Sequence, residues 1–354
     1  MKAALLRAYG DALEVVDVDP AALTPHQVRV RMAASGVCHS DLSVQQGKIP
    51  YPTPCVLGHE GAGVVEEVGD AVTLVAPGDH VIISWIPACR DCVWCRADQP
   101  FLCERGLGDA LGAPYGSVAG DVVFAGLTTG TFGETAQVLE RALVKIDADV
   151  PLDVASLVGC AVTTGVGAVL NTAAVKPGDT VAVVGCGGVG LSVIQGAVVA
   201  GASRIIAVDP SAERRGIAES LGATDSTDDV AAVASINGGV GVDHAFEVVG
   251  RSTTMRAAYD ATRNGGACTI VGVGADDDIA GFNARELSIS GKRILGCVYG
   301  SADPQRDFPR FLDLYRAGRL PIDRLITSRI GLADVNDAFR AMEAGEGARS
   351  VIVF

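Results

Sequence analysis

Apolar and polar positions alternate through residues 1–35, as in Gln27-Val28-Arg29-Val30-Arg31-Met32, and the same period returns in residues 61–69 and 77–83. A period of two sets one face of a strand in water and the other in a core. Turn residues recur at roughly 8–12 positions between these runs, so residues 1–35 and 61–84 predict antiparallel strands in a small, partly open β-barrel or sandwich. Residues 104–130 break the pattern. They are glycine-rich and carry no lysine or arginine after Arg105, which predicts a long irregular surface loop.

From about residue 150 the pattern changes again. Residues 180–185, 204–209, 242–248 and 267–273 are short apolar, largely β-branched runs separated by helical spacers. That alternation predicts a parallel α/β sheet buried on both faces. Beyond residue 298 the spacing predicts helices over 308–318 and 333–344 and a closing strand over 350–354. At 354 residues the chain is long enough for two cores.

Residues 181–203 contain no charged side chain, but six glycines punctuate them, which suits a buried strand, a tight turn and a helix better than a membrane span. The first residues meet charge too soon for a signal peptide. The chain carries a net charge of −14, which gives nucleic acid or an anionic membrane no electrostatic hold. These features predict a soluble cytoplasmic protein, in which ten cysteines are metal or catalytic thiols before they are disulfides.

Three groups of residues carry chemistry. Cys38 and His59 have donor types that bind zinc, and Asp41 can hold the imidazole of His59 from behind; a reduced core cysteine and a loop histidine would look the same in isolation. Cys89, Cys92, Cys95 and Cys103 form a compact set whose three-residue spacing lets backbone N–H groups face the sulfurs. Four thiolates suit a closed structural zinc site, with a disulfide pair or an iron–sulfur cluster as the other chemistries open to them. Gly185-Cys186-Gly187-Gly188-Val189-Gly190 is G-x-G-x-x-G directly after a strand and opening a helix, and Asp209 ends the next strand 19 residues after Gly190. This is the dinucleotide fingerprint, with pyrophosphate at a helix N-terminus and a carboxylate for the adenosine ribose. Asp209 would repel a 2′-phosphate, so NAD is expected over NADP. Arg214 can flank the adenosine. Cys160, at the junction between the β region and the α/β region, can supply a third metal ligand there while Thr164 touches the cofactor.

Taken together, the Cys38-His39-Ser40-Asp41 segment, Gly58-His59-Glu60, the four-cysteine set, Gly159-Cys160, the GCGGVG loop with Asp209, and residues 246–251 (FEVVGR) resemble the zinc-dependent alcohol dehydrogenases of the medium-chain dehydrogenase/reductase family over essentially the whole chain. The resemblance implies an α/β protein: a GroES-like β-barrel catalytic domain (residues 1–161 and 298–354) with a Rossmann doubly wound parallel sheet (162–297) inserted to bind NAD. It implies two zinc ions per chain, a catalytic one on Cys38, His59 and Cys160 and a structural one on the four-cysteine set. It assigns the substrate proton to Ser40, the support of His59 to Asp41 and a metal-proximal carboxylate to Glu60. His39, Arg251 and Arg349 join the glycine loop and Thr164 as cofactor contacts, Trp85 becomes an aromatic wall of the substrate pocket, and a homodimer forms through the edge of the cofactor sheet. One position departs from the pattern: Ser43 stands where liver- and yeast-type members carry the histidine that ends the proton relay.

The expected reaction is reversible NAD-linked oxidation of primary or aromatic alcohols to aldehydes, or of secondary alcohols to ketones. The near-absence of basic residues in 104–130, with Trp85, Leu111, Val122, Val123 and Phe124 nearby in sequence, favours a neutral apolar pocket. A thiol-dependent formaldehyde dehydrogenase is the alternative, and a non-catalytic zinc and NAD-binding scaffold or sensor a remote one.

Overall fold

The computed structural model describes all 354 residues. Its six-stranded parallel sheet comprises Thr180–Val184, Arg204–Val208, Asp225–Thr227, Val242–Glu247, Thr262–Ile270 and Arg293–Gly296. Numbered along the chain, these strands lie side by side in the order 3-2-1-4-5-6. The first and fourth strands pair at the point where the order reverses, and the carboxyl ends of strands at such a point open into a binding crevice. Both faces are buried, as the uninterrupted apolar runs require: Val181 and Val183 pack with Leu191 and Ile194 of the helix Gly188–Ala200, while Ala182 and Val184 pack with Ala258 and Tyr259 on the other side.

The rest of the chain builds two further sheets. In one, Gln27–Gly36 pairs with Glu60–Val68, Thr135–Leu139 and the C-terminal Ser350–Val353, all antiparallel. Residues 350–353 thus return to the N-terminal body and carry Arg349 into it. In the other, Lys2–Leu6 runs between Glu14–Asp17 and Cys55–Val56, over a core of Leu5, Leu6, Leu57, Tyr115 and Phe132.

The expected loop at 104–130 is instead structured. Glu104–Ala110 is a helix whose first turn donates Gly106 N–H to Cys103 Sγ at 3.2 Å. Pro114–Val118 and Asp121–Ala125 form an antiparallel hairpin that turns on Ala119 and Gly120, both at positive φ (52° and 92°). Few charges there meant pairing rather than irregularity, because Val122-Val123-Phe124 is itself a short strand-forming run. The strand expected from 267 starts at Thr262, and the helix expected from 308 starts at Pro304, capped by the Asp303 carboxylate on Gln305 N–H. No single helix is long and apolar enough to cross a membrane.

Candidate functional site

Strand Gln27–Gly36 ends one residue before Val37, and Cys38 caps the helix His39–Gln45 that follows. Asp41 lies one turn into that helix with no exposed surface. Its Oδ2 accepts Cys38 N–H at 3.2 Å, and its Oδ1 accepts Gly58 N–H at 2.9 Å while lying 3.2 Å from His59 Nδ1. One carboxylate therefore ties the two segments together and leaves His59 Nε2 free for a metal. Gly58 has φ of 95°, and a Cβ there would fall 2.5 Å from the Phe132 ring, so the turn that presents His59 excludes a side chain. Cys160 arrives from the far side, capping the helix Ala161–Gly167 with φ −146° and ψ −72°, a conformation outside the common regions.

The donor atoms of Cys38, His59, Glu60 and Cys160 lie within 4.8 Å of one another, and all four residues are buried. Two thiols, an imidazole and a carboxylate suit zinc. Glu60 supports that fit: neither of its carboxylate oxygens has a hydrogen-bond donor, although Arg349 Nη2 is 3.2 Å from Oε1. Burial pushes the Glu60 carboxyl up to about 7 despite the opposing pull of Arg349. The two sulfurs are coupled. The neighbouring Cys160 thiol holds Cys38 well below the usual thiol range, against burial, with help from His59 and Arg349. Cys160 is raised in turn by Cys38 and by burial.

Arg349 links this cluster to the glycine loop. Its Nη1 donates to Val37 O at 2.7 Å, and its guanidinium lies 2.7–2.8 Å from where a Gly188 Cβ would sit. Gly185 turns with φ of 98°, Gly187 caps the helix, and Gly190 brings the helix so close that a Cβ would lie 1.8 Å from Gly185 O. Val189 follows Gly188 in the first turn. Asp209 is buried below the loop, but its oxygens are already engaged, Oδ2 with Cys186 N–H at 2.8 Å and Oδ1 with Ser211 N–H at 2.9 Å. It thus holds the turn between strand and helix.

The remaining cofactor candidates spread around this axis. Thr164 is half-buried on the helix packed against the glycine helix, where a Cβ at Gly165 would meet Val189 O at 2.5 Å. His39 stands beside the metal cluster with part of its surface in solvent; partial desolvation of the ring lowers its pKa against the pull of Cys38, and Arg214 is among the charges it feels. Arg214 is half-buried, its Nε 3.3 Å from Gly347 O across the crevice. Arg251 caps the helix Ser252–Ala261 at the exposed rim, and its guanidinium makes no hydrogen bond or ion pair.

Ser40 Oγ is 3.9 Å from Cys38 Sγ and half-buried. Trp85 is half-buried, its backbone carbonyl accepting Thr128 Oγ1 at 2.8 Å. Its ring centroid is 4.9 Å from that of Tyr299. The residues suggested from 104–130 do not form a common wall: Val123 belongs to the core around Leu5 and Tyr115, and Leu111 and Val122 are exposed. Tyr299 carried no signal in the sequence beyond the glycine after it, because its position depends on how the chain leaves the parallel sheet.

In the four-cysteine set, Cys89 Sγ is 4.0 Å from Cys95 Sγ and Cys92 Sγ 3.8 Å from Cys103 Sγ. Backbone N–H groups of Cys89, Asp91, Cys92 and Gly106 face the sulfurs at 3.2–3.5 Å. Those of Asp91 and Cys92 draw the Cys89 thiol down to about 6, while burial pushes Cys95 up to about 12. The lobe is pinned to the body by Arg90, which grips both Asp303 oxygens at 2.6–2.7 Å.

Residues 24–148 match the alcohol dehydrogenase GroES-like domain and residues 188–317 the zinc-binding dehydrogenase domain. The chain is 36% identical over 365 residues to alcohol dehydrogenase B of Mycobacterium tuberculosis, covering 99% of this chain and 97% of that one. It is 38% identical over 366 residues to "Probable S-(hydroxymethyl)glutathione dehydrogenase 1" of Schizosaccharomyces pombe, covering 99% and 96%. The crystal structure of benzyl alcohol dehydrogenase from Acinetobacter calcoaceticus is similar with a TM-score of 0.93 at 33% identity, over 100% of this chain and 99% of that one. With its sheet order, its paired cysteine clusters and these full-length relatives, the chain belongs to the zinc-dependent alcohol dehydrogenases of the medium-chain dehydrogenase/reductase family, oxidoreductases that use zinc and a nicotinamide cofactor.

Proposed function

We propose that this chain oxidises uncharged primary or aromatic alcohols to aldehydes with NAD⁺, and reduces the aldehydes in the reverse direction. The observation that carries the reading is Arg349, which touches Glu60 of the cysteine–histidine cluster and the Gly188 turn at once, an arrangement that would bring metal and dinucleotide into one crevice. Cys38, His59 and Cys160 would hold the catalytic zinc, and Cys89, Cys92, Cys95 and Cys103 the structural one. Bound there, zinc supplies Lewis acidity toward a hydroxyl or carbonyl oxygen. Ser40 takes the hydroxyl proton, and Asp41 holds His59 in one tautomer. Arg349 and His39 neutralise the pyrophosphate, and Asp209 opposes a 2′-phosphate. Trp85 supplies an apolar wall. Ser43 stands where a relay histidine would be, so Ser40 is the one side chain assigned to the proton.

The catalytic unit is assigned to residues 1–161 and 298–354 and the cofactor unit to 162–297. The free edge of Arg293–Gly296, with exposed Val273, Ile279, Ile289, Ile294 and Val298 around it, suits a homodimer; an uncovered apolar edge of this kind invites pairing with a second copy. Arg105, the one basic side chain in 104–130, pairs with Asp91 at 3.5 Å on the exposed surface, and the choice between neutral alcohols and the formaldehyde alternative rests on the assay. The test is NADH formation from benzyl alcohol, ethanol and formaldehyde, the last with and without a low-molecular-weight thiol, and with NADP⁺ in place of NAD⁺. Turnover confined to the formaldehyde–thiol mixture would overturn the reading.

A further inference from the structure

Trp85 is gripped by two segments whose backbones lie in the left-handed region. Leu127 and Thr128 have φ of 47° and 71°, and Thr128 Oγ1 donates to Trp85 O at 2.8 Å. On the other side Tyr299, Gly300 and Ser301 have φ of 52°, 65° and 48°, and the Tyr299 ring lies against the indole at 4.9 Å with the planes tilted by 52°. Side chains other than glycine avoid this region, and such strain concentrates where a site requires it. The second turn is pressed against the helix behind Cys160, since a Cβ on Gly300 would fall 2.1 Å from Thr163 O.

Tyr299 is 2% exposed, and its hydroxyl donates to Gly159 O at 2.5 Å. That carbonyl belongs to the peptide that joins Gly159 to Cys160, the residue with φ −146° and ψ −72°. The same hydroxyl lies 3.3 Å from Ser84 Oγ, one residue before Trp85. One side chain therefore touches both the peptide that carries Cys160 and the Trp85 indole.

We propose that Tyr299 is a positioning residue with two separable jobs: its hydroxyl holds the Gly159–Cys160 peptide so that the Cys160 thiol faces the metal, and its ring holds Trp85 as the wall that sets substrate size. The second job rests on the reading of Trp85 as a pocket wall; the first does not. Without the hydroxyl the peptide can rotate, and Cys160 loses the restraint on its unusual conformation. Without the ring the indole gains room, and the pocket loses its fixed width.

The experiment compares Tyr299→Phe and Tyr299→Leu with the wild-type zinc-loaded protein, reading zinc transfer to a chromogenic chelator alongside kcat and KM for benzyl alcohol and ethanol. Partners that orient metal ligands alter metal affinity by about 10–100-fold, so Y299F should release one of two zinc ions about tenfold faster while its benzyl-to-ethanol ratio stays at the wild-type value. Y299L should also lower that ratio by about tenfold, through KM for benzyl alcohol more than through kcat. Trp85 and Trp94 are the two tryptophans of the chain, so in a Trp94→Phe background Y299L should red-shift the Trp85 emission and Y299F should not. Wild-type zinc release from Y299F overturns the tether, and an unchanged ratio and emission in Y299L overturn the wall. If no form oxidises any alcohol, the proposed function fails, while zinc release and emission still judge Tyr299. Should Y299L not fold, Tyr299→Met takes its place for the ring.

Discussion

Asp41 and His59 are joined across 3.2 Å inside a site where the carboxylate has no exposed surface. The same Asp41 oxygen also accepts Gly58 N–H, and its partner oxygen accepts Cys38 N–H. Replacing it strips a support from both metal-binding segments at once. Asp41→Ala should lower zinc affinity at the cleft by about 10–100-fold, as removal of ligand-orienting partners does elsewhere, and it should leave one of two zinc ions firmly held. Zinc retained per chain through a chelator titration measures this. Retention of both ions with wild-type affinity would remove Asp41 from the proposed support of the metal.

Asp209 carries two duties that pull in different directions under mutation. It holds the glycine turn through Cys186 N–H and helix entry through Ser211 N–H, and it is the carboxylate that would meet a 2′-phosphate. Asp209→Gly should therefore cut kcat/KM for NAD⁺ by about tenfold or more, because each lost hydrogen bond to a charged acceptor is worth about 1.5–3 kcal/mol. NADP⁺ should improve relative to NAD⁺ without reaching the wild-type value for NAD⁺, since removing repulsion does not rebuild the turn. Cofactor titrations with both nucleotides test the ratio and the absolute loss separately.

Much of this architecture was legible in the residue pattern. The two-residue period of 27–32 and the β-branched runs at 180, 204 and 242 each reported a strand, because burial of one face or both leaves a direct mark on composition. Cys38 and His59 had metal-binding donor types and Cys160 lay at the junction of the two regions, but it took the family resemblance to make them one ligand set; the three do come together in space. What stayed hidden depends on tertiary pairing. Residues 114–125 pair with each other and with Cys55–Val56, a parallel contact that no local period announces. Arg349 reaches Val37 O and Glu60 only because Ser350–Val353 docks beside Gln27–Gly36. Tyr299 finds Gly159 across 140 positions of sequence.

The four-cysteine lobe makes a separate stability prediction. Its sulfurs are 3.8–4.0 Å apart in pairs, and four such thiols without a metal would crowd negative charge as they ionise. Cys95→Ser should lower the zinc content from two ions to one and shift Tm down by several degrees, a few kcal/mol in a chain of this size. Alcohol oxidation measured at low temperature should fall much less, because the lobe's four thiols are a donor set distinct from that of the cleft. Equal loss of activity and stability would place the lobe in the reaction itself.

The last prediction concerns acid. Asp243 is half-buried, and its Oδ2 accepts both the N–H and the hydroxyl of Thr180 at 2.7 Å while Oδ1 accepts Arg263 Nε at 2.7 Å. Burial pushes its carboxyl up, but the Thr180 hydrogen bonds and Arg263 outweigh it, so its pKa lies below the ordinary value. A carboxyl depressed in the folded state takes up its proton at higher pH in the unfolded chain. It therefore stabilises the fold above about pH 4, and that contribution fades as the pH falls through the folded value. Asp243→Asn should lower Tm at neutral pH and narrow its gap to the wild type as the pH drops below about 4. Thermal unfolding of both proteins between about pH 3 and 7 reads this, and a Tm gap that stays constant or widens in acid would show that Asp243 contributes packing rather than charge.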